Sequence, residues 1–303
     1  MEFKISNRAK LVTLSLIVVG ALFTLIGAFT MEEHGLQRFL ASSLTNSFFF
    51  FAIGLLALFF LALQYATETA WYVSVKRMIE AVAGYLPYGI LFLIITLGVI
   101  TLYDGAHIYI WMDPEYTNPS SHHYDAIIDG KSAYLNKAFF WIRTVIYLAT
   151  YYLFYLGFRK RSLEEDRVGG TAIHFKNYKK GATFLVFFAV FSSTQTWDWI
   201  MSIDVHWFST LFGWYVFASF FVSGITSIAL VTIYLKSKGY LEYVNTSHIH
   251  DLAKFMFGIS VFWTYLWFSQ FMLIWYANIP EEVTYHLTRI EDFKMLYFGM
   301  FFI

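Results

Sequence analysis

Ser47-Phe48-Phe49-Phe50-Phe51-Ala52-Ile53-Gly54-Leu55-Leu56-Ala57-Leu58-Phe59-Phe60-Leu61-Ala62-Leu63-Gln64-Tyr65-Ala66-Thr67 runs for 21 residues without a charge. As a helix rising 1.5 Å per residue it is ~30 Å long, the thickness of a bilayer's hydrocarbon core. Six more stretches of this kind flank it: 10–30, 84–106, 138–158, 182–201, 209–235 and 252–277. An eighth starts near Phe293 and reaches Ile303, where the sequence stops inside an apolar run. The composition agrees. Hydrophobic residues are 58% of the 303, and charged residues 14% against ~25% in soluble domains. With 34 Phe, 22 Tyr and 10 Trp, the apolar surface exceeds what a soluble core can hide. The expectation is an all-α, polytopic transmembrane helix bundle. A soluble enzyme, a disordered chain and a disulfide scaffold are excluded.

The charges orient the bundle. Basic and acidic residues balance at 21 each, so no global field attracts nucleic acid. Reading the N-terminus as cytoplasmic puts fifteen Lys and Arg on that side, including Lys4, Arg8, Lys10, Lys76, Arg77 and the 159–180 cluster. Five lie opposite: Arg38, Lys131, Lys137, Arg289 and Lys294. This asymmetry is the positive-inside pattern. The basic start before 10–30 imitates a signal peptide, but no small-residue cleavage site follows, and the segment reads as a retained first helix. Residues 68–83, with Trp71, Tyr72, Lys76 and Arg77, read as an interfacial helix. Residues 104–136 read as a long acidic outer loop and 159–181 as a basic inner loop.

Polar groups at membrane depth are costly and therefore informative. In the outer half stand Asp104 and His107, one turn apart at the end of the third span, with Arg143 in the fourth, Gln195 and Asp198 closing the fifth, and Gln270 in the seventh. Gln64 and Glu68, four apart, form an inner pair. One reading is a polar pocket with Trp141, Tyr265 and Trp267 as flat walls. A cation, carboxylates and amides beside apolar rings suit a quinone, whose two oxygens need hydrogen bonds and whose oxidation releases protons. The other reading is that Arg143 snorkels or makes one structural ion pair with Asp104 or Asp198.

The run Thr196-Trp197-Asp198-Trp199-Ile200-Met201-Ser202-Ile203-Asp204-Val205-His206-Trp207-Phe208-Ser209-Thr210 joins the fifth and sixth spans. It is richer in Trp, Asp and His than an aromatic belt requires. Of nine histidines only His107 falls at helix depth on this reading, so intrinsic haem and a multi-histidine metal site are not expected. Absent cysteine removes iron–sulfur ligation and c-type haem attachment from this chain. Ile110-Trp111 with Pro114-Glu115, and Ile274-Trp275 with Pro280-Glu281, hint at a parallel repeat of four helices.

The 197–210 run, Phe262-Trp263-Thr264-Tyr265-Leu266-Trp267-Phe268-Ser269-Gln270-Phe271-Met272-Leu273-Ile274-Trp275-Tyr276-Ala277-Asn278-Ile279-Pro280-Glu281-Glu282, and Leu135-Asn136-Lys137 with Phe139-Phe140-Trp141-Ile142-Arg143 resemble one family. They are similar to the polysulfide-reductase-like (NrfD-like) integral membrane subunits of bacterial alternative complex III, a quinol:cytochrome c oxidoreductase, and more to the second of its two such subunits. The resemblance implies about ten helices. A flanking helix (10–30) would precede a first four-helix bundle (about 47–201) and the start of a second (about 209–303). It implies a multi-pass protein of the bacterial inner membrane with quinol or menaquinone as substrate. The implied partners are a periplasmic iron–sulfur subunit, haem c subunits, a sister NrfD-like subunit and a terminal oxidase, besides lipids. Haem c and iron–sulfur clusters would sit on those partners, and this chain would hold no redox centre.

Three functions follow as expectations. The first is a subunit contributing a quinol-binding pocket near the periplasmic face. The second is a scaffold or proton-relay subunit of the same complex, with Gln64/Glu68 and Asp104/His107/Arg143 as its two ends. The third is a secondary transporter, disfavoured because Pro87, Pro114, Pro119 and Pro280 lie near helix ends and not at mid-membrane.

Overall fold

A computed structural model describes residues 5–30, 35–103 and 106–299. It is 83% helical and has no strand among the described residues. Helices run α1 (Asn7–Thr30), α2 (Gly35–Ala66), α3 (Lys76–Ala83), α4 (Leu86–Leu102), α5 (Ala126–Lys131), α6 (Lys137–Val168), α7 (Ala172–Trp199), α8 (Leu211–Ser237), α9 (Thr246–Ala277), α10 (Pro280–Glu291) and α11 (Lys294–Gly299). Among the described residues six helical stretches are long and apolar enough to cross a membrane: Asn7–Gly27, Gly35–Ala66, Lys76–Leu102, Lys137–Val168, Leu211–Ser237 and Thr246–Ala277. The expected span at 182–201 falls in α7, which is as long but less apolar. Its first turns carry Lys176, Lys179 and Lys180, and its last carry Ser192-Ser193-Thr194-Gln195-Thr196. It packs within the bundle against α2, α6 and α8, which is where a polar helix is tolerated. The chain is a multi-pass, all-α membrane protein.

Helix α2 is the central column, packed on α3, α4, α7 and α8. Its fully buried Phe51, Leu55, Leu58, Phe60 and Tyr65 form the core. The α2–α4 seam depends on two glycines. A Cβ on Gly89 would lie 2.7 Å from the Phe51 Cα, and one on Gly54 2.9 Å from the Leu86 nitrogen. Small residues at such crossings let backbones meet where packing is the main attraction in lipid. By contrast α1 packs chiefly on α2, and its large apolar side chains face outward.

Local chemistry fixes the helix ends. The Asn136 side chain accepts from the Phe139 N–H and caps α6. Asn245 and His248 form a reciprocal capping box on α9. Asn278 takes the left-handed conformation after α9, and Pro280 opens α10. Because the connections at 169–171 and 200–210 are short, consecutive helices are antiparallel. One end of the bundle, the loop end, gathers residues 106–136 and 200–210. The other, the basic end, gathers α3, the end of α6 and the start of α7.

Several expectations are corrected. Helix α4 stops at Leu102, not 106, because the chain folds back there and buries Ile108, Tyr109 and Trp111. His107 is therefore exposed, in a left-handed turn (φ 42°), and not at helix depth. The 159–181 loop shrinks to three residues, since good helix formers extend α6 to Val168 until Gly169 (φ 67°) ends it. Gln64 and Glu68 do not share a helix face: α2 ends at Ala66 and Glu68 adopts φ 50°. The repeat loses its marker residues, because Ile110-Trp111 is a buried 3-10 turn whereas Trp275 is exposed within α9.

Candidate functional site: a buried ion pair beside an apolar cavity

Arg143 and Asp198 meet where α6 begins and α7 ends. Arg143 Nε donates to Asp198 Oδ2 and Nη2 to Oδ1, both at 2.8 Å, a bidentate pair. Asp198 is 0% exposed and Arg143 7%. Tyr147 donates to the same carboxylate at 3.0 Å, and Arg143 Nη1 donates to the Tyr134 carbonyl at 3.0 Å. The guanidinium carbon lies 3.8 Å from the centre of the Tyr134 ring and 4.2 Å from that of Phe139. Of the two candidate partners it is thus Asp198 that holds Arg143; Asp104 lies outside the described residues. Burial pushes the Tyr134 phenol up to about 12, helped by the Asp198 charge and opposed by Arg143, so it stays protonated.

The sequence places this pair by periodicity. Arg143, Tyr147 and Tyr151 recur every fourth residue and share one buried face of α6. The aromatic shell continues through Trp199, whose Nε1 donates to Thr144 Oγ1 at 3.0 Å. The folded-back segment closes over the top: Tyr109 donates to the Trp199 carbonyl at 2.7 Å and Trp111 to the Ser202 carbonyl at 3.1 Å. Burial, with the Asp198 charge, raises the Tyr109 phenol far above its ordinary range.

Against this closed pair opens a cavity of about 620 Å³. Tyr134, Leu135, Trp197, Met201, Val205, Trp207 and Phe208 supply apolar walls, and Lys131, Ser202 and Asp204 the polar ones. Tyr134 therefore faces both, stacked on Arg143 and lining the cavity. The Trp197 and Trp207 indole N–H groups are buried without a hydrogen-bond partner. Two ties hold the rim. Lys131 Nζ donates to the Val205 carbonyl at 2.5 Å, and His206 Nε2 lies 2.7 Å from Asp125 Oδ2. Burial pushes the Asp125 carboxyl up, but the Ile127 and Ile128 N–H groups and His206 together outweigh it and bring it below the usual value.

The other expected residues scatter. Gln195 and Gln270 are buried, on α7 and α9, with the Gln195 Oε1 and Gln270 Nε2 atoms unpartnered. His107 lines a separate cleft with Asp113, Glu115 and Lys137. Gln64 accepts from Thr69 at 2.5 Å, and Glu68 Oε1 lies 3.5 Å from His174. Among the described residues no group of three His, Asp or Glu could hold a metal.

Sequence reading misses a second polar centre at the basic end. Glu80, 5% exposed, accepts from Arg77 at 2.5 Å, from Arg159 at 3.2 Å and from the Ser162 hydroxyl. Lys76 pairs with Glu165 at 2.6 Å and Arg77 with Asp166. The signal was Ser162, in register with Arg143, Tyr147 and Tyr151 on the buried face of α6. It also misses His286 on α10. That side chain is 6% exposed, with Nδ1 3.0 Å from the Tyr297 hydroxyl and Nε2 buried without a partner. Burial, with the nearby Arg289 charge, lowers it to about 4. Its signal lay in the amphipathic pattern of 280–291, which carries a histidine on the apolar side.

Compared with known proteins, the chain matches no family model and no curated protein.

Proposed function

We propose that this chain is an NrfD-like integral membrane subunit of a quinol:electron-acceptor oxidoreductase complex, and that its loop-end cavity takes the quinol head. The observation that carries this is the apolar cavity of about 620 Å³ set against the Arg143–Asp198 pair through one shared residue, Tyr134. Its size falls in the usual range of small-molecule sites, ~300–1,000 Å³. The pair itself is saturated and closed. Its role here is to position Tyr134, and direct contact with the substrate falls to the wall. Trp197 and Trp207 supply flat apolar walls for a quinone ring, and Asp204 is a carboxylate able to accept a proton from a quinol hydroxyl. Oxidation of one quinol releases two protons and two electrons. The electrons pass to haem c or iron–sulfur centres on partner subunits, as the family resemblance implies. The resemblance likewise supplies a bacterial inner membrane, and the Lys/Arg asymmetry a cytoplasmic N-terminus.

Purification of the native protein in mild detergent through a tag on this chain tests the reading. Reducible c-type haem bands and quinol-dependent cytochrome c reduction are expected. Trp207→Phe and Asp204→Asn should then raise KM and lower kcat respectively, with the haem spectrum unchanged. A colourless preparation without partners would refute the complex and bring the transporter reading forward.

A second reading, a proton-relay subunit, is favoured by the α6 face that joins the two polar centres. Arg143, Tyr147, Tyr151 and Ser162 lie on it, ~28 Å from first to last at 1.5 Å per residue. Between the ends, the Tyr151 and Tyr65 hydroxyls are buried without a protein partner, the kind of group that ordered water satisfies. In this reading Tyr151→Phe lowers the protons released per electron and leaves electron flow intact. Unchanged stoichiometry in Tyr151→Phe, Tyr65→Phe and Glu80→Gln would leave a scaffold.

A further inference from the structure

At the loop end, α1 and α2 part. A Cβ built on Gly20 or Gly27 of α1 would meet nothing within 4 Å, although small residues at helix crossings ordinarily serve close contact. The gap is a cavity of about 530 Å³ between the two helices. Phe23 and Gly27 line it from α1, and Arg38, Phe39, Ser42 and Ser43 from α2. Its polar side chains are Arg38, Ser42, Ser43 and Asn46 from α2 and Thr24 from α1. Among the described residues Arg38 has no carboxylate and no hydrogen-bond acceptor, and none that lines the cavity is acidic. Ser42 accepts from Asn46 Nδ2 at 3.4 Å, but neither Ser42 nor Ser43 donates to any acceptor among the described residues. One cation and two hydroxyls without an acceptor among the described residues stand one to two turns into α2, beside the slot between the two helices.

We propose that this cleft binds one anionic glycerophospholipid: the phosphodiester on Arg38, Ser42 and Ser43, and an acyl chain lying between α1 and α2 past Phe23 and Gly27. A bidentate guanidinium–phosphate contact matches the donor geometry. The Arg38 charge favours a headgroup with a net negative charge over a zwitterionic one. The lipid fills the seam that α1 leaves open and so fastens a helix most of whose large apolar side chains are exposed.

Native mass spectrometry of the purified full chain, exchanged into nanodiscs of phosphatidylglycerol or of phosphatidylcholine, tests this. The expected result is one retained phosphatidylglycerol per chain and at least ~tenfold lower retention of the choline lipid, the worth of about one charge-assisted contact. Arg38→Gln should lose the retained lipid by a similar factor. Gly27→Leu fills the slot from the other helix with the cation intact and should lose it too, so two variants on separate helices guard against local misfolding. Equal retention by either variant, no preference between the two lipids, or displacement of the lipid by inorganic phosphate would overturn the proposal.

Discussion

Asp198→Asn keeps the shape of the side chain and removes its charge. The carboxylate accepts two hydrogen bonds from Arg143 and one from Tyr147, and it is 0% exposed. Removing one partner of a buried pair leaves the other charge uncompensated and costs ~3–5 kcal/mol. The weakened Tyr147 bond adds ~1 kcal/mol. Against this, Arg143 keeps the Tyr134 carbonyl and two aromatic faces, which holds the loss near the lower figure. At ~2 °C per kcal/mol for a chain of this size, thermal unfolding in detergent should fall by ~6–8 °C. Arg143→Met should cost a similar amount by stranding Asp198. The double variant Arg143→Met/Asp198→Leu carries no stranded charge and should recover most of the loss, because apolar replacement of a whole buried pair is often near neutral. Strictly additive losses, or either single variant within ~1 kcal/mol of the parent, would refute the coupling on which the site rests.

His286 gives an acid limb. Its folded-state value of about 4 lies below the ordinary 6.5, so between those values the unfolded chain binds a proton that the folded one does not. Stability is full above ~6.5 and falls as pH drops toward 4, by at most ~3.5 kcal/mol at 1.36 kcal/mol per pH unit; His286→Phe should flatten that limb in pH-dependent unfolding. Glu80→Gln strands Arg77 and Arg159 and should cost ~2–4 kcal/mol and raise proteolytic access to the 67–83 segment; unchanged cleavage would deny Glu80 its role in fastening α3. Gly89→Ala sets a methyl 2.7 Å from the Phe51 Cα and should cost ~1–3 kcal/mol, whereas Gly27→Ala, in open space, should cost less than ~0.5; equal melting temperatures would show that the α2–α4 seam yields.

Fold class was legible because uncharged runs such as 47–67 admit few structures in a membrane. Helix ends were less so. Arg159 to Arg167 are polar enough to read as a loop, yet they are good helix formers and nothing before Gly169 breaks the helix. Polarity marked where the membrane ends, and the helix continued past it. Arg143 and Asp198 were picked out as costly residues at depth, but pairing depends on the approach of α6 and α7, which no local pattern encodes. His107 was misplaced by assuming that α4 continues to 106, when the burial of Tyr109 and Trp111 turns the chain back at Tyr103. His286 escaped notice because the depth of α10 is set by Tyr285 stacking on Trp207 at 4.1 Å, a contact between distant segments.

The two polar centres obey one energetic rule with different outcomes. At the basic end Glu80 is ringed by Arg77, Arg159 and Ser162, and it knits α3 to α6. Nothing apolar opens beside it among the described cavities. At the loop end the pair is just as closed, yet the residue stacked on it lines an apolar cavity. A carboxylate and a guanidinium that were only structural would be satisfied by each other, and the geometry of Tyr134 would not matter. Here Tyr134 is held from below by its carbonyl on Arg143 and across its face by the guanidinium, which fixes one wall of the cavity. Tyr134→Phe keeps the carbonyl and the ring, whereas Tyr134→Ala removes the wall. If the cavity is the working site, the Phe variant retains ligand affinity and the Ala variant loses it, with the ion pair intact in both. Equal affinity in the two would move the working site elsewhere and leave Arg143–Asp198 as a strut.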